Sequence, residues 1–166
     1  RPVRNPARKE FVMSDVPHIM IVEAPYYTAI SESLRKGALR AIEAAGATWE
    51  LFSVPGAFEI PAAIRFALRS RDFSTRGQRF DGYVALGCVI RGETSHYDYV
   101  CGESARGLQD LALEHTLAIG YGILTVENED QAWARADLEG RDKGGEAARA
   151  CLEMIALKKA FGLFPR

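Results

Sequence analysis

The chain has 166 residues, 48% of them hydrophobic and 26% charged, which is typical of a globular protein with one α/β domain. Its formal net charge of −1 gives no electrostatic reason to expect a nucleic-acid partner. No apolar run approaches the roughly 20 residues of a membrane helix, so a membrane partner is not expected either.

The N-terminal stretch 1–9 is rich in arginine and proline and lacks the apolar core of a secretory signal. Residues 1–16 are therefore predicted to be a flexible N-terminal tail, and residues 17–166 a single α/β domain. A remnant of an organelle transit peptide is the alternative interpretation of the tail. The three cysteines, Cys88, Cys101 and Cys151, form no C-x-x-C pair, which favours reduced packing residues and a cytoplasmic location.

Apolar segments alternate with helical patterns along the chain. The predicted strands are 18–22, 48–54, 82–87 and 120–125. Apolar positions at helical spacing predict helices over 30–45, 60–68, 97–112, 131–135 and 147–155. Gly46 is predicted to end the first of these helices, and Asn128 to cap the helix that carries 131–135. Residues 69–79 are predicted to form a polar loop. Crossovers of this length require parallel strands with helices on both faces. The predicted fold is α/β, a three-layer α/β/α sandwich with a four-stranded parallel sheet of the flavodoxin-like type.

The segment 86–100, LGCVIRGETSHYDYV, follows the third predicted strand and leads into a helix. Ser95-x-x-Asp98 has the spacing of a capping box, and the positive end of the helix dipole next to Gly92 favours an anion. His96 lies in the same turn, where the dipole favours the neutral imidazole that suits proton transfer. Because ligands bind at the carboxyl ends of parallel strands, this turn is predicted to be part of an active site.

Three motifs in this order resemble one family. The segment 86–100, the upstream VPGAFEIP at 54–61 and the downstream TVENEDQA at 125–132 are closely similar to lumazine synthases of riboflavin biosynthesis. The resemblance extends from about His18 to Phe161. It implies a transferase that condenses 5-amino-6-ribitylaminouracil with 3,4-dihydroxy-2-butanone 4-phosphate to 6,7-dimethyl-8-ribityllumazine, releasing phosphate and water. It implies no metal and no redox cofactor.

The resemblance assigns the proton and phosphate chemistry. His96 aligns with the proton-transfer residue, and Arg135 with the arginine that binds the substrate phosphate, so Arg135 is expected to reach the turn near Gly92. The backbone amides of Glu93 and Thr94 are the expected further phosphate donors, and Lys143 matches a lysine near the active site. By position alone, His96 would be an ordinary helix-start histidine, and Arg135 and Lys143 solvated cations.

Arg91 lies in the same turn, and either a phosphate contact or a structural ion pair is open to it. The glutamate side chain at position 93 adds negative charge beside a phosphate site and is expected to point outward.

The resemblance also assigns the pyrimidine site. Tyr26 aligns with an aromatic residue that stacks on the ring, although Pro25 and Tyr27 depart from the family pattern, which puts a polar contact there in doubt. Backbone groups of Val89 and Ile90 are expected at the polar edge of the ring. The ribityl chain is expected along four successive residues, Ala57, Phe58, Glu59 and Ile60, with the side chain of Phe58 interpreted as part of the core.

Tyr121, placed at the carboxyl side of the fourth strand, aligns with an aromatic residue that a neighbouring subunit contributes in relatives. A homo-oligomer with active sites at subunit interfaces is therefore expected, with a free pentamer favoured over a larger shell. Two other functions stay open: a non-catalytic lumazine- or flavin-binding protein, and a purely structural shell subunit.

Overall fold

A computed structural model describes residues 3–4, 15–73 and 79–164. The strands are β1 (Val3–Arg4), β2 (His18–Glu23), β3 (Thr48–Ser53), β4 (Gly82–Ile90) and β5 (Ile119–Val126). The helices are α1 (Thr28–Ala44), α2 (Ile60–Phe73), α3 (His96–His115), α4 (Glu129–Ala136) and α5 (Lys143–Ala160), and a single 3₁₀ turn at Ala57–Glu59 precedes α2. This alternation confirms the predicted α/β class.

The strands form one sheet in the order β1-β3-β2-β4-β5. Strands β2 to β5 are parallel to their neighbours, which confirms the predicted four-stranded parallel sheet. The two-residue strand β1 adds an antiparallel pair at the edge, with Val3 opposite Leu51 and Arg4 opposite Glu50. Residues 1–2 and 5–14 of the predicted tail lie outside the described part of the chain, so its flexibility stays a prediction.

Helices cover both faces of the sheet. Successive side chains of β2 alternate between the two faces, so Ile19 and Ile21 join a core with residues of α1 and α5. Met20 and Val22 join a second core with residues of α2 and α3. All four side chains are buried, as expected for parallel strands covered on both sides. The predicted three-layer sandwich is therefore confirmed.

Most elements differ from their predicted bounds by a few residues, among them α2 and β4. Helix α2 continues through Phe73 into the predicted polar loop, and an ion pair of 2.7 Å between Arg69 and Asp72 stabilises its last turn. Strand β4 continues to Ile90, so Val89 and Ile90 belong to the strand rather than to the turn after it. The polar composition of 69–73 does not stop the helix because one side of α2 faces water.

Candidate active site

The carboxyl ends of β2, β3 and β4 open into a cavity of about 530 Å³, here called the first cavity. Eight of the predicted site residues line it: Tyr26, Ala57, Phe58, Glu59, Val89, Ile90, Thr94 and His96. They come from three chain segments that each follow or end a strand. They meet because the carboxyl ends of neighbouring parallel strands lie at one edge of the sheet.

Strand β4 extends beyond its neighbour β2 at this cavity. The pairing of the two strands ends with Glu23 opposite Leu86, after which the Ala24 N–H donates to the Leu86 carbonyl oxygen at 2.9 Å. Backbone polar groups of a parallel strand alternate between its two sides. Cys88 and Ile90 therefore direct their N–H and C=O groups to the side of Leu86, beyond the end of β2, where a ligand in the cavity can bind them.

Val89 faces the opposite way. The Arg91 N–H donates to the Val126 carbonyl oxygen of β5 at 2.9 Å, and Val89 is two residues earlier on the same side of β4, opposite Thr125. Its side chain lines the cavity while its backbone groups face β5. The backbone of Cys88 is therefore available beside that of Ile90, which the two-residue alternation from Leu86 indicates and the sequence analysis missed, while the ligand contact expected of Val89 stays a prediction.

The thiol of Cys88 is not a nucleophile near neutral pH. The side chain is buried at the cavity wall, and burial raises its pKa to about 11. Since the thiolate is the reactive form of cysteine, this thiol stays protonated and unreactive.

Two aromatic rings are exposed at the first cavity. Tyr26 is 72% exposed and Phe58 54% exposed. The Tyr26 ring packs edge-on against Tyr27, with ring centroids 5.0 Å apart at an interplanar angle of 72°. The interpretation of Phe58 as a core residue is therefore wrong, because the 3₁₀ turn buries Ala57 and Ile60 instead. An exposed aromatic face can stack on a flat heterocycle.

The turn after β3 places a carboxylate at the first cavity. The Glu59 N–H donates to the Gly56 carbonyl oxygen at 3.1 Å and so closes the 3₁₀ turn. Oε2 of Glu59 folds back over Gly56, where a Cβ would lie only 3.0 Å from it. The carboxylate can accept hydrogen bonds from hydroxyl groups of a ligand. Ile60 is fully buried and does not line the cavity.

Helix α3 begins at His96, but not with the predicted capping box. Ser95 has helical backbone angles and no side-chain cap bond, and the Asp98 N–H donates to its carbonyl oxygen at 3.0 Å. The carboxylate of Asp98 accepts instead from Arg91, which is why it does not reach back to Ser95. The Thr94 hydroxyl oxygen accepts from the His96 N–H at 3.4 Å. The imidazole of His96 is exposed at the cavity.

Arg91 makes ion pairs within the chain, in agreement with one of the two roles left open for it. Its Nε donates to Glu127 at 2.9 Å and its Nη1 to Asp98 at 3.2 Å. Its guanidinium also lies 4.1 Å from the centroid of the Tyr97 ring. These contacts join the end of β4 to α3 and to the end of β5. The side chain of Glu93 is exposed and lines neither cavity, as expected for a residue that points outward.

Tyr121, Arg135 and Lys143 lie in a different place. They line a second cavity of about 440 Å³, formed by β5, α4 and α5. Nη1 of Arg135 donates to the carbonyl oxygen of Gln131 at 3.0 Å. Nζ of Lys143 donates to both carboxylate oxygens of Glu146, at 2.6 and 2.7 Å. Glu146, three residues after Lys143, is a member of this cluster that the sequence analysis missed and that helical spacing indicates.

One expectation for these residues, the place of Tyr121 along its strand, is wrong. Tyr121 is the third residue of β5 and five residues of the strand follow it, so it lies near the amino end rather than the carboxyl end. Gly92 lines the first cavity and Arg135 the second, and the expected reach of Arg135 to the turn at Gly92 stays a prediction. Among the described residues, none lines both cavities.

Metal and membrane features are also absent from the described part of the chain. Within residues 3–4, 15–73 and 79–164, no three His, Cys, Asp or Glu side chains cluster in a way that could hold a metal ion. No helix in these ranges is both long enough and apolar enough to cross a membrane.

Comparison with known proteins identifies the family. Residues 17–159 match the family described as 6,7-dimethyl-8-ribityllumazine synthase. A relative of that name from Agrobacterium fabrum is 56% identical over 146 residues, which is 88% of this chain and 97% of the relative. A relative from Bartonella tribocorum is 55% identical over 150 residues, which is 90% of this chain and 95% of the relative. A relative from Rhizobium meliloti is 57% identical over 145 residues, which is 87% of this chain and 94% of the relative. The chain therefore belongs to the 6,7-dimethyl-8-ribityllumazine synthase family, transferases of riboflavin biosynthesis, as its three motifs predicted.

Proposed function

We propose that this chain condenses 5-amino-6-ribitylaminouracil with 3,4-dihydroxy-2-butanone 4-phosphate to 6,7-dimethyl-8-ribityllumazine, releasing phosphate and water. The observation that carries the proposal is the composition of the first cavity. Its walls bring together exposed aromatic rings, a carboxylate, an unpaired strand edge and the imidazole of His96. The names of the relatives support the same reaction.

The pyrimidine substrate fits the part of the first cavity that lies along β4. Its flat ring stacks on Tyr26, and its polar edge bonds to the backbone groups of Cys88 and Ile90. Its ribityl hydroxyls donate to the carboxylate of Glu59 and contact the backbone of residues 57–59. Main-chain donors and acceptors at a fixed strand end hold a planar ring in one orientation with little loss of side-chain entropy.

The phosphate substrate binds nearer α3. The turn 92–95 and the amino end of the helix favour its anionic group, and the Thr94 hydroxyl adds a donor. The amine of the pyrimidine forms an imine with the ketone and one water leaves, the phosphate is then eliminated, and ring closure releases a second water. His96 takes and returns protons in these steps, while much of the rate comes from holding two substrates together.

The active site is completed by a neighbouring copy of the chain in a homopentamer. Arg135, Lys143 and Tyr121 of one copy face the first cavity of the next, which joins two cavities that a single chain keeps apart. Large apolar side chains left exposed on α2 and α3 support such contacts: Phe66, Phe73, Tyr99 and Leu113. In this arrangement Arg135 of the neighbour reaches the phosphate that α3 binds.

We also assign the protein to the cytoplasm. All three cysteines are free thiols, of which Cys88 and Cys151 are buried. Unpaired cysteines are the usual state in a reducing compartment.

The proposed reaction has a direct assay. The purified chain, incubated with both substrates, is expected to form a fluorescent lumazine and to release one phosphate for each product molecule. Omission of either substrate is the control. Binding of the pyrimidine without product would favour a non-catalytic binding protein. Failure to bind either substrate would leave only a structural role.

The shared site predicts complementation between two defective variants. Neither His96→Ala nor Arg135→Ala alone forms an intact site, but in mixed pentamers about a quarter of the sites pair a wild-type His96 with a wild-type Arg135. Activity is therefore expected to rise when the two variants are refolded together. A mixture of wild-type chain with the double variant, refolded in the same way, is the matched control.

Light scattering on the wild-type chain provides the accompanying measurement, with the mass of five chains expected. No gain of activity on mixing, or full activity at the mass of one chain, would contradict the shared site.

A further inference from the structure

Asp142 is in the loop that joins α4 to α5, and in the sequence it lies between Arg135 and Lys143, the two cations of the second cavity. Arg135 is near the end of α4, and Lys143 is the first residue of α5. Asp142 immediately precedes Lys143 and has left-handed backbone angles, φ 42° and ψ 53°. It is 8% exposed, whereas surface aspartates are usually solvated. A charged residue in a strained conformation at such a position calls for a specific reason.

The carboxylate of Asp142 is held by three groups. It accepts the Gly145 N–H at 3.1 Å and so caps the amino end of α5. Nη2 of Arg40, on α1, lies 3.2 Å away, and Nη1 of Arg149, one turn further along α5, lies 3.6 Å away. On α1, Gly37 leaves the space that the carboxylate occupies, since a Cβ there would overlap it. The side chain therefore fixes the start of α5 against α1.

The backbone of the same loop fixes α4. The Asp142 N–H donates to the Asp137 carbonyl oxygen at 3.0 Å, and the Arg141 N–H donates to that of Ala134 at 3.4 Å. The hydroxyl of Ser33, on α1, donates to the last carbonyl of α4, that of Ala136, at 2.7 Å. Both helices that carry the cations are thus tied to α1 and to each other through residues 137–142.

We propose that Asp142 is a positioning residue that sets the separation and direction of Arg135 and Lys143 for a phosphate group. The proposal rests on the proposed function, because it specifies how the phosphate-binding half of that site is held. Asp142 itself does not line the second cavity. It acts through the backbone of Lys143 and through the loop that anchors α4, because its carboxylate pairs with Arg40 and Arg149 and with neither cation of the cavity.

The test separates positioning from general stability. Asp142→Gly removes the carboxylate but permits the left-handed conformation without strain. We expect it to raise the KM for the butanone phosphate about tenfold, since small misplacements of binding groups are costly. The KM for the pyrimidine should stay within about twofold, because Tyr26 and Glu59 lie in the other cavity. Asp142→Asn keeps an acceptor for the Gly145 N–H and tolerates positive φ, so it should restore a KM near the wild-type value.

Gly46→Ala is the matched control. Gly46 follows α1 at φ 71°, and no atom lies within 4 Å of the position that a Cβ would take, so alanine strains the backbone there without touching either cavity. It should lower the melting temperature and leave both KM values unchanged. If Asp142→Gly does not fold, Gly37→Ala, whose Cβ would displace the Asp142 carboxylate from its place against α1, carries the same expectation.

Equal rises of both KM values, no rise at all, or a failure of Asp142→Asn to restore the phosphate KM would overturn the inference. The KM values of these variants can be compared only if the wild-type chain forms product. A wild-type chain that forms none would contradict the proposed function itself, so the two failures are distinguishable.

Discussion

Replacement of His96 by alanine is expected to slow turnover by about 10²-fold or less, or up to about 2.7 kcal/mol of transition-state stabilisation. His96 is the one imidazole that lines the first cavity among the described residues. Proton transfer by a positioned side chain contributes about 10²–10⁴-fold, and the proximity of two bound substrates preserves part of the rate when it is lost. The measurement is the turnover number at saturation with both substrates.

His115→Ala is the matched control for this variant. His115 ends the same helix, lines neither cavity and lies 4.0 Å from the carboxylate of Glu114. Its replacement should leave turnover unchanged. The affinity for the phosphate substrate should change little in His96→Ala, since the turn amides and Arg135 remain. Wild-type turnover of His96→Ala across about pH 6 to 8 would contradict the proton-transfer role.

Replacement of Arg135 by lysine is expected to weaken binding of the butanone phosphate by about 1–3 kcal/mol. Lysine keeps the charge but loses the planar fork that makes two parallel bonds to phosphate oxygens. The half-buried guanidinium is already oriented, because one of its nitrogens donates to the Gln131 carbonyl oxygen while the others can face the phosphate. A lysine has a single nitrogen for both tasks. Calorimetric titration of each substrate measures the effect, and pyrimidine affinity should be nearly unaffected.

Arg69→Lys is the corresponding control, because Arg69 pairs with Asp72 on α2 and lines neither cavity. It should alter neither affinity. An equal loss for both substrates in Arg135→Lys would indicate that Arg135 is a structural residue of α4 rather than a phosphate ligand.

The sheet was predictable because its signals are local and repeated. Each strand is an apolar run bounded by polar or glycine residues, and the long crossovers permit only parallel pairing. Gly46 and Asn128 were assigned correctly as helix boundaries, with φ 71° at Gly46 and the Gln131 N–H bonded to Asn128. The pairing of Val3–Arg4 with β3 was not predictable, since two residues carry no periodicity.

The errors in the site came from contacts between distant segments. The spacing of Ser95 and Asp98 predicts a capping box, but the contact between Asp98 and Arg91 in space removes the carboxylate from that role. Phe58 is a large apolar residue of the kind usually found in a core, but the 3₁₀ turn directs its side chain to the surface. Arg135 and Gly92 line different cavities because of how α4 packs, which the resemblance in sequence does not express.

The unpaired end of β4 has a genetic consequence. Hydrogen bonds to the backbone of Cys88 and Ile90 do not depend on which side chain the codon specifies, so almost any substitution other than proline leaves those donors and acceptors in place. Point mutations therefore seldom change which backbone donors and acceptors the strand offers to the ring of a bound heterocycle. Selectivity among flat heterocycles is expected to evolve through the surrounding walls, above all at Tyr26 and Phe58, while the strand edge stays constant.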